Sequence, residues 1–148
     1  MVRENLLINE AHKAQYLALK NGAEDAVDGE AECQRQLASI GRFTVVILGM
    51  GDDGHTASLF PESAALAKGL DMHSGRDCIA VTPVHAPHQR MSMTLPRLLN
   101  SESLFIHISG ISKQQVLARA NAGDDVMALP IRAVLHQQST PVAIYWAH

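Results

Sequence analysis

The sequence has 148 residues, a formal net charge of −3, 47% hydrophobic residues and 18% charged ones. That length suits one domain over residues 1–148, and the apolar share is enough for a real core, which excludes broad disorder. With no polybasic stretch and only 4% aromatics, the chain lacks the features of a nucleic-acid or anionic-membrane binder. No run approaches the roughly 20 apolar residues of a membrane span, and no secretion signal opens the sequence. Cys33 and Cys78 show no paired spacing, so a disulfide scaffold or zinc site is not expected and a cytoplasmic, reducing compartment fits.

In chain order, residues 2–20 predict an amphipathic helix, with Leu6, Leu7, Ala11, Ala14, Leu17 and Ala18 at helical intervals and Asn21-Gly22 as its stop. Residues 23–29 read as an acidic loop and 29–40 as a second helix. The β-branched run of 43–48 predicts a strand buried on both faces. A short helix over 63–70 and a strand over 77–81 follow. Residues 83–88 form a loop, 90–94 alternate like a strand, 95–100 turn helical and 104–108 form a strand. A helix over 113–120 has Ser112 as its expected N-cap. Pro130 starts a short helix to about 136, and 142–146 closes the chain as a strand. Strands alternating with helices predict an α/β fold: an open, largely parallel Rossmann-like sheet with helices on both faces.

Chemistry concentrates after the first strand, in Leu48-Gly49-Met50-Gly51-Asp52-Asp53-Gly54-His55-Thr56-Ala57-Ser58-Leu59-Phe60-Pro61. Three glycines let the backbone turn tightly and approach a ligand, and two carboxylates and an imidazole ride on that turn. The hexad Gly49 to Gly54 matches the dinucleotide pattern G-x-G-x-x-G, with Asp71 near the spacing of a ribose-binding acid. Asp52 and Asp53 would then lie against a pyrophosphate, where like charges are unfavourable, and Pro61 interrupts the helix that pattern needs. A second signal is Gly110-Ile111-Ser112-Lys113: a lysine in a first helical turn is disfavoured by the helix dipole unless an anion sits there. Arg90 is the third, a cation able to join Lys113 on a phosphate. His85 and His88 have a His-x-x-His spacing without a third ligand and read as loop residues. His107 reads as a sheet residue, and Met91 and Met93 as core.

These segments, in this order, resemble the 6-phosphogluconolactonase family. Gly49 to Pro61 resembles its G-x-G-x-D-G-H-T-A-S-L-F-P signature, Arg90 to Pro96 its R-x-[ST]-x-T-x-P segment, and Gly110 to Lys113 its glycine-to-lysine turn. The resemblance spans essentially the whole chain but only the C-terminal part of the family domain. The opening strand, S-G-G-S-T-P phosphate loop and D-E-R segment of family members have no counterpart here. An exposed sheet edge, covered by a homodimer partner, is therefore expected. The related glucosamine-6-phosphate deaminases carry D-G-H-I-A-F-N-E-P; this chain has Phe60 in place of the glutamate before the proline.

The resemblance implies a carboxylic ester hydrolase that opens 6-phospho-D-glucono-1,5-lactone in the oxidative pentose phosphate pathway, with no metal or organic cofactor. It implies His55 as general base, with Asp53 orienting it or meeting sugar hydroxyls. Arg90 and Lys113 would hold the phosphate, Gly49 would line the substrate loop, and the amides of Gly51 and Gly54 would face the oxyanion. The alternatives are a deaminase-like isomerase, a non-catalytic sugar-phosphate-binding domain and a folded but inactive piece.

Overall fold

The computed structural model describes residues 2–148. Its elements in chain order are α1 (Val2–Asn5), a 3-10 turn (Asn9–Lys13), α2 (Ala26–Ala38), β1 (Phe43–Leu48), α3 (Leu66–Leu70), β2 (Cys78–Val81), β3 (Arg90–Met93), α4 (Leu95–Leu99), β4 (Ser101–Ser109), α5 (Ile111–Asn121), α6 (Ile131–Leu135) and β5 (Val142–Ala147). The fold is α/β with a mainly parallel sheet. β1 and β5 flank β4 in a parallel three-stranded sheet, and β2 pairs with β3 in a separate antiparallel hairpin.

One face of the parallel sheet carries the core. Val46 and Leu48 of β1 and Leu104, Ile106 and Ile108 of β4 are buried there, under Val116 and Ala120 of α5 and Ile131 and Val134 of α6. The other face is bare: Val45 is 47% exposed, Ile47 70% and Tyr145 58%. This corrects two expectations. β1 is buried on one face only, and helices do not cover both faces of the sheet. A β-branched run records the preference of a residue for a strand, but not how many layers pack on it.

Residues 2–20 also depart from the pattern. The predicted helix shrinks to α1 and the 3-10 turn, broken where Asn9 takes φ 51°. Leu6, Ile8, Tyr16 and Leu17 stay exposed. An amphipathic segment gains most of its helical stability by burying its apolar stripe, and here nothing receives it.

Elsewhere the local signals hold. α2 starts earlier than expected because Asp25 caps it, accepting from the Asp28 amide at 2.9 Å. Its inner face packs Cys33 and Leu37 on Cys78. Burial pushes the Cys78 thiol up to about 12 and raises Cys33 too, so both remain protonated packing groups. α2 also closes the edge of β2: Gln34 accepts from the Asp77 amide and Glu30 from the Ala80 amide, each at 2.8 Å. A sheet edge whose amides are taken by side chains offers no template to another strand. At the entry to β1, buried Arg97 of α4 donates to the carbonyls of Ile40 and Gly41, both at 3.0 Å, and stacks 4.1 Å over Phe43. No helix among the described residues is long and apolar enough to cross a membrane.

Candidate active site

In the parallel pair, Leu48 lies opposite Ile106, and β4 runs on to Ser109. The chain therefore leaves both strands at one rim, the carboxyl end of the sheet, where open α/β proteins place their ligands. The loop after β1 carries the Asp–His motif, and the turn after β4 carries Lys113.

The loop after β1 is closed by its own backbone. The Gly51 amide donates to the His55 carbonyl at 2.8 Å, the Gly54 amide to the Gly51 carbonyl at 3.1 Å and the Leu59 amide to the Thr56 carbonyl at 2.9 Å. The Thr56 hydroxyl, fully buried, donates to the Gly49 carbonyl at 2.9 Å. Gly54 has φ 76°, a conformation unfavourable for a side chain, and a Cβ there would overlap Leu129. Its carbonyl accepts from the Ile131 amide at 2.9 Å, so the start of α6 buttresses the loop from behind. Ala57 also sits at positive φ, 51°, local backbone strain of the kind that surrounding contacts must maintain.

This scaffold fixes the imidazole. Asp53 Oδ1 accepts from the His55 amide at 3.1 Å and lies 2.6 Å from Nδ1. A carboxylate there selects the Nδ1–H tautomer and leaves Nε2 as the proton acceptor. Phe60 packs against the ring, centroid to centroid 4.1 Å. Gly51 is the residue that makes room: a Cβ added there would overlap both His55 Nδ1 and Asp53 Oδ1.

α5 approaches from the neighbouring strand. Its N-cap is Gly110, at φ 88° with no side-chain cap; Ser112 lies inside the first turn, not at the cap as expected. The Lys113 ammonium reaches Asp52 Oδ1 at 3.0 Å and is only 23% exposed, against 72% for Asp52. Hydrogen bonding from Lys113 holds the Asp52 carboxyl below its ordinary value, with smaller contributions from Ser112 and His55. Arg119, two turns along α5, adds a long bond to the Asp52 carbonyl at 3.4 Å. Ile47, Gly49, Gly51, His55, Ala57 and Lys113 line an open cleft of about 440 Å³.

His55, Asp53, Gly49, Gly51 and Lys113 thus assemble as the motif order suggests. Two other expectations fail. The amides of Gly51 and Gly54 are both taken by loop carbonyls, so neither is free to hold an oxyanion. Arg90 does not join Lys113 at the cleft. It lines a separate cavity with Asn21, Glu24 and His88, and its guanidinium donates to the carbonyls of His88 and Gln89 at 3.0 and 3.4 Å. Arg90 opens β3, the second strand of the hairpin, which belongs to a different sheet from the rim. His85 pairs with Glu62 at 3.0 Å on the surface. Sequence reasoning missed Asp52 as the partner of Lys113, Phe60 as the support of the imidazole and Leu129 as the floor of the loop. Strand adjacency reveals the first; no spacing signal marks the other two.

The fold and the site define an α/β protein with a hydrogen-bonded Asp–His pair at the carboxyl rim of its parallel sheet and a lysine on the neighbouring turn. The chain belongs to the glucosamine-6-phosphate isomerases/6-phosphogluconolactonase family, whose model matches residues 1–146. A 6-phosphogluconolactonase of Pseudomonas putida is 39% identical over 146 residues, covering 99% of this chain and 59% of that protein. A second, from Rhizobium meliloti, is 39% identical over 148 residues and is covered to 64%. The crystal structure of a 6-phosphogluconolactonase from Shewanella baltica superposes with a TM-score of 0.95 at 42% identity, covering 99% of this chain and 63% of that one. The chain spans about three-fifths of the length of these relatives.

Proposed function

We propose that this chain carries the catalytic centre for hydrolysis of 6-phospho-D-glucono-1,5-lactone to 6-phospho-D-gluconate. The observation that carries the reading is the Asp53–His55 pair, with the imidazole lining a cleft that Lys113 also lines. A δ-lactone opens when water adds to its carbonyl carbon. His55 Nε2 takes the proton of that water as the C–O bond forms, while Asp53 stabilises the imidazolium through Nδ1–H. The tetrahedral intermediate then collapses, the bond from the carbonyl carbon to the ring oxygen breaks, and the imidazolium returns its proton to that oxygen. No other co-reactant is required. Lys113 binds the 6-phosphate, and with Arg90 directed elsewhere it is the cation of this cleft. The deaminase alternative is disfavoured because Phe60, packed on the imidazole, stands where that family places a carboxylate. Two unpaired buried thiols support a reducing, cytoplasmic setting.

The wild-type chain is expected to accelerate opening of freshly made lactone above its spontaneous rate; a rate equal to buffer alone overturns the reading. Lys113→Ala is expected to raise KM for the phosphorylated lactone roughly 10- to 100-fold, the worth of a charge-assisted hydrogen bond. KM for the unphosphorylated lactone should barely move, and equal losses for the two would remove Lys113 from the phosphate site.

We further propose that a second copy of the chain covers the bare sheet face. Val45 and Ile47 of β1 and Tyr145 of β5 are exposed on this face, and β1 is an edge strand of the sheet among the described residues. Sedimentation is expected to give a dimer for the wild type and a monomer for Tyr145→Lys, a position on this face that lies outside the cleft; a monomeric wild type excludes this assembly.

A further inference from the structure

The Lys113 ammonium is already occupied. Asp52 Oδ1 lies 3.0 Å away, while the lysine side chain is only 23% exposed and shares the cleft with His55. The pair joins the two loops of the carboxyl rim, because Asp52 is one residue from the Asp53 that holds the imidazole and Lys113 is in the first turn of α5. Asp52 itself is largely solvated, its carboxylate 72% exposed, so polar partners, Lys113 and Ser112, hold it rather than packing, and it can swing away.

We propose that Asp52 is an internal competitor for the anion site: its carboxylate occupies Lys113 in the free protein and leaves when a ligand phosphate arrives. A carboxylate and a phosphate present the same kind of oxygen acceptor to an ammonium, and an ammonium already paired at 3.0 Å with one must give up that contact to take the other at full strength. The pair thereby keeps Lys113 oriented toward the cleft and neutralised, instead of leaving an unpaired cation at its wall. The consequence is a weakening of every ligand that needs Lys113, by a factor set by the strength of the internal pair. For an exposed pair that factor is about 1.5 to 5. Ligands without an anionic group are untouched. Because Asp52 is exposed, salt screens the competition, and the factor shrinks as ionic strength rises.

The catalytic consequence rests on the lactonase reading: Asp52→Asn is expected to lower KM for the phosphorylated lactone by that factor while kcat stays at the wild-type value. The competition itself is tested without any lactone. Inorganic phosphate is titrated into the whole chain, with the amide resonances of Ser112 and Lys113 followed by NMR at low salt. Asp52→Asn is expected to bind phosphate about 1.5- to 5-fold more tightly than wild type. Glu102→Gln, which removes a charge at the opposite end of β4, is expected to change nothing. In a Lys113→Gln background the gain from Asp52→Asn is expected to vanish, because there is then no ammonium to compete for. Equal affinities for wild type and Asp52→Asn, or undetectable binding to Asp52→Asn, overturn the proposal. So does a gain that persists without Lys113, which would mean simple repulsion of phosphate by Asp52. A chain that fails to open the lactone but passes the phosphate titration loses the lactonase reading and keeps this one.

Discussion

Replacing His55 with asparagine is expected to lower kcat for lactone opening by about 10²- to 10⁴-fold, the usual contribution of a positioned general base. The asparagine amide can still donate to Asp53, and the imidazole is partly exposed, 30% by side chain. Folding should therefore be nearly unaffected, with a melting temperature within a few degrees of wild type. KM should change little, because the proposed anchor for the substrate's charge, Lys113, is on a different element. The measurement is the initial rate at saturating lactone, corrected for spontaneous opening. An undiminished kcat would mean that another group activates the water.

The second large effect comes from a residue with no side chain. Gly51 shows no left-handed backbone, so alanine is allowed there by conformation; what it lacks is space. Its Cβ would overlap both His55 Nδ1 and Asp53 Oδ1, and one of them must move. Gly51→Ala is therefore expected to cost roughly 10²-fold in kcat, the scale of a misplacement near 1 Å at a reacting group. The loss should be accompanied by disappearance of the downfield Nδ1–H proton resonance of the Asp53–His55 hydrogen bond, seen at 2.6 Å. Full activity with the resonance intact would show that the loop absorbs a methyl group elsewhere. At Gly54 the same substitution acts through stability, since it meets both φ 76° and Leu129.

The two variants separate what the motif encodes from what the fold supplies. Asp53, Gly54 and His55 are adjacent in the chain, so their hydrogen bonds follow from local turn chemistry. The distance from that imidazole to a cation depends on strand order. Lys113 reaches the cleft because β4 lies directly beside β1 and in parallel, which puts residues some 60 positions apart on one rim. The same logic explains the failure with Arg90. Its place ahead of a short strand was legible, but β3 pairs with β2 and not with the parallel sheet, so its guanidinium faces other neighbours. The oxyanion assignment failed for a different reason. The glycine pattern suggests open donors, while the tight turn it permits consumes its own amides.

Local chemistry alone settled the strand at 43–48, the glycine turn after it, the Asp–His pair on that turn and the helix following Gly110, because neighbours within a few residues decide each of them. Burial and adjacency needed the folded chain. Which face of β1 is covered, why residues 2–20 form so little helix and which acid meets Lys113 all depend on segments distant in sequence, and a contact between distant segments leaves no periodic trace in either.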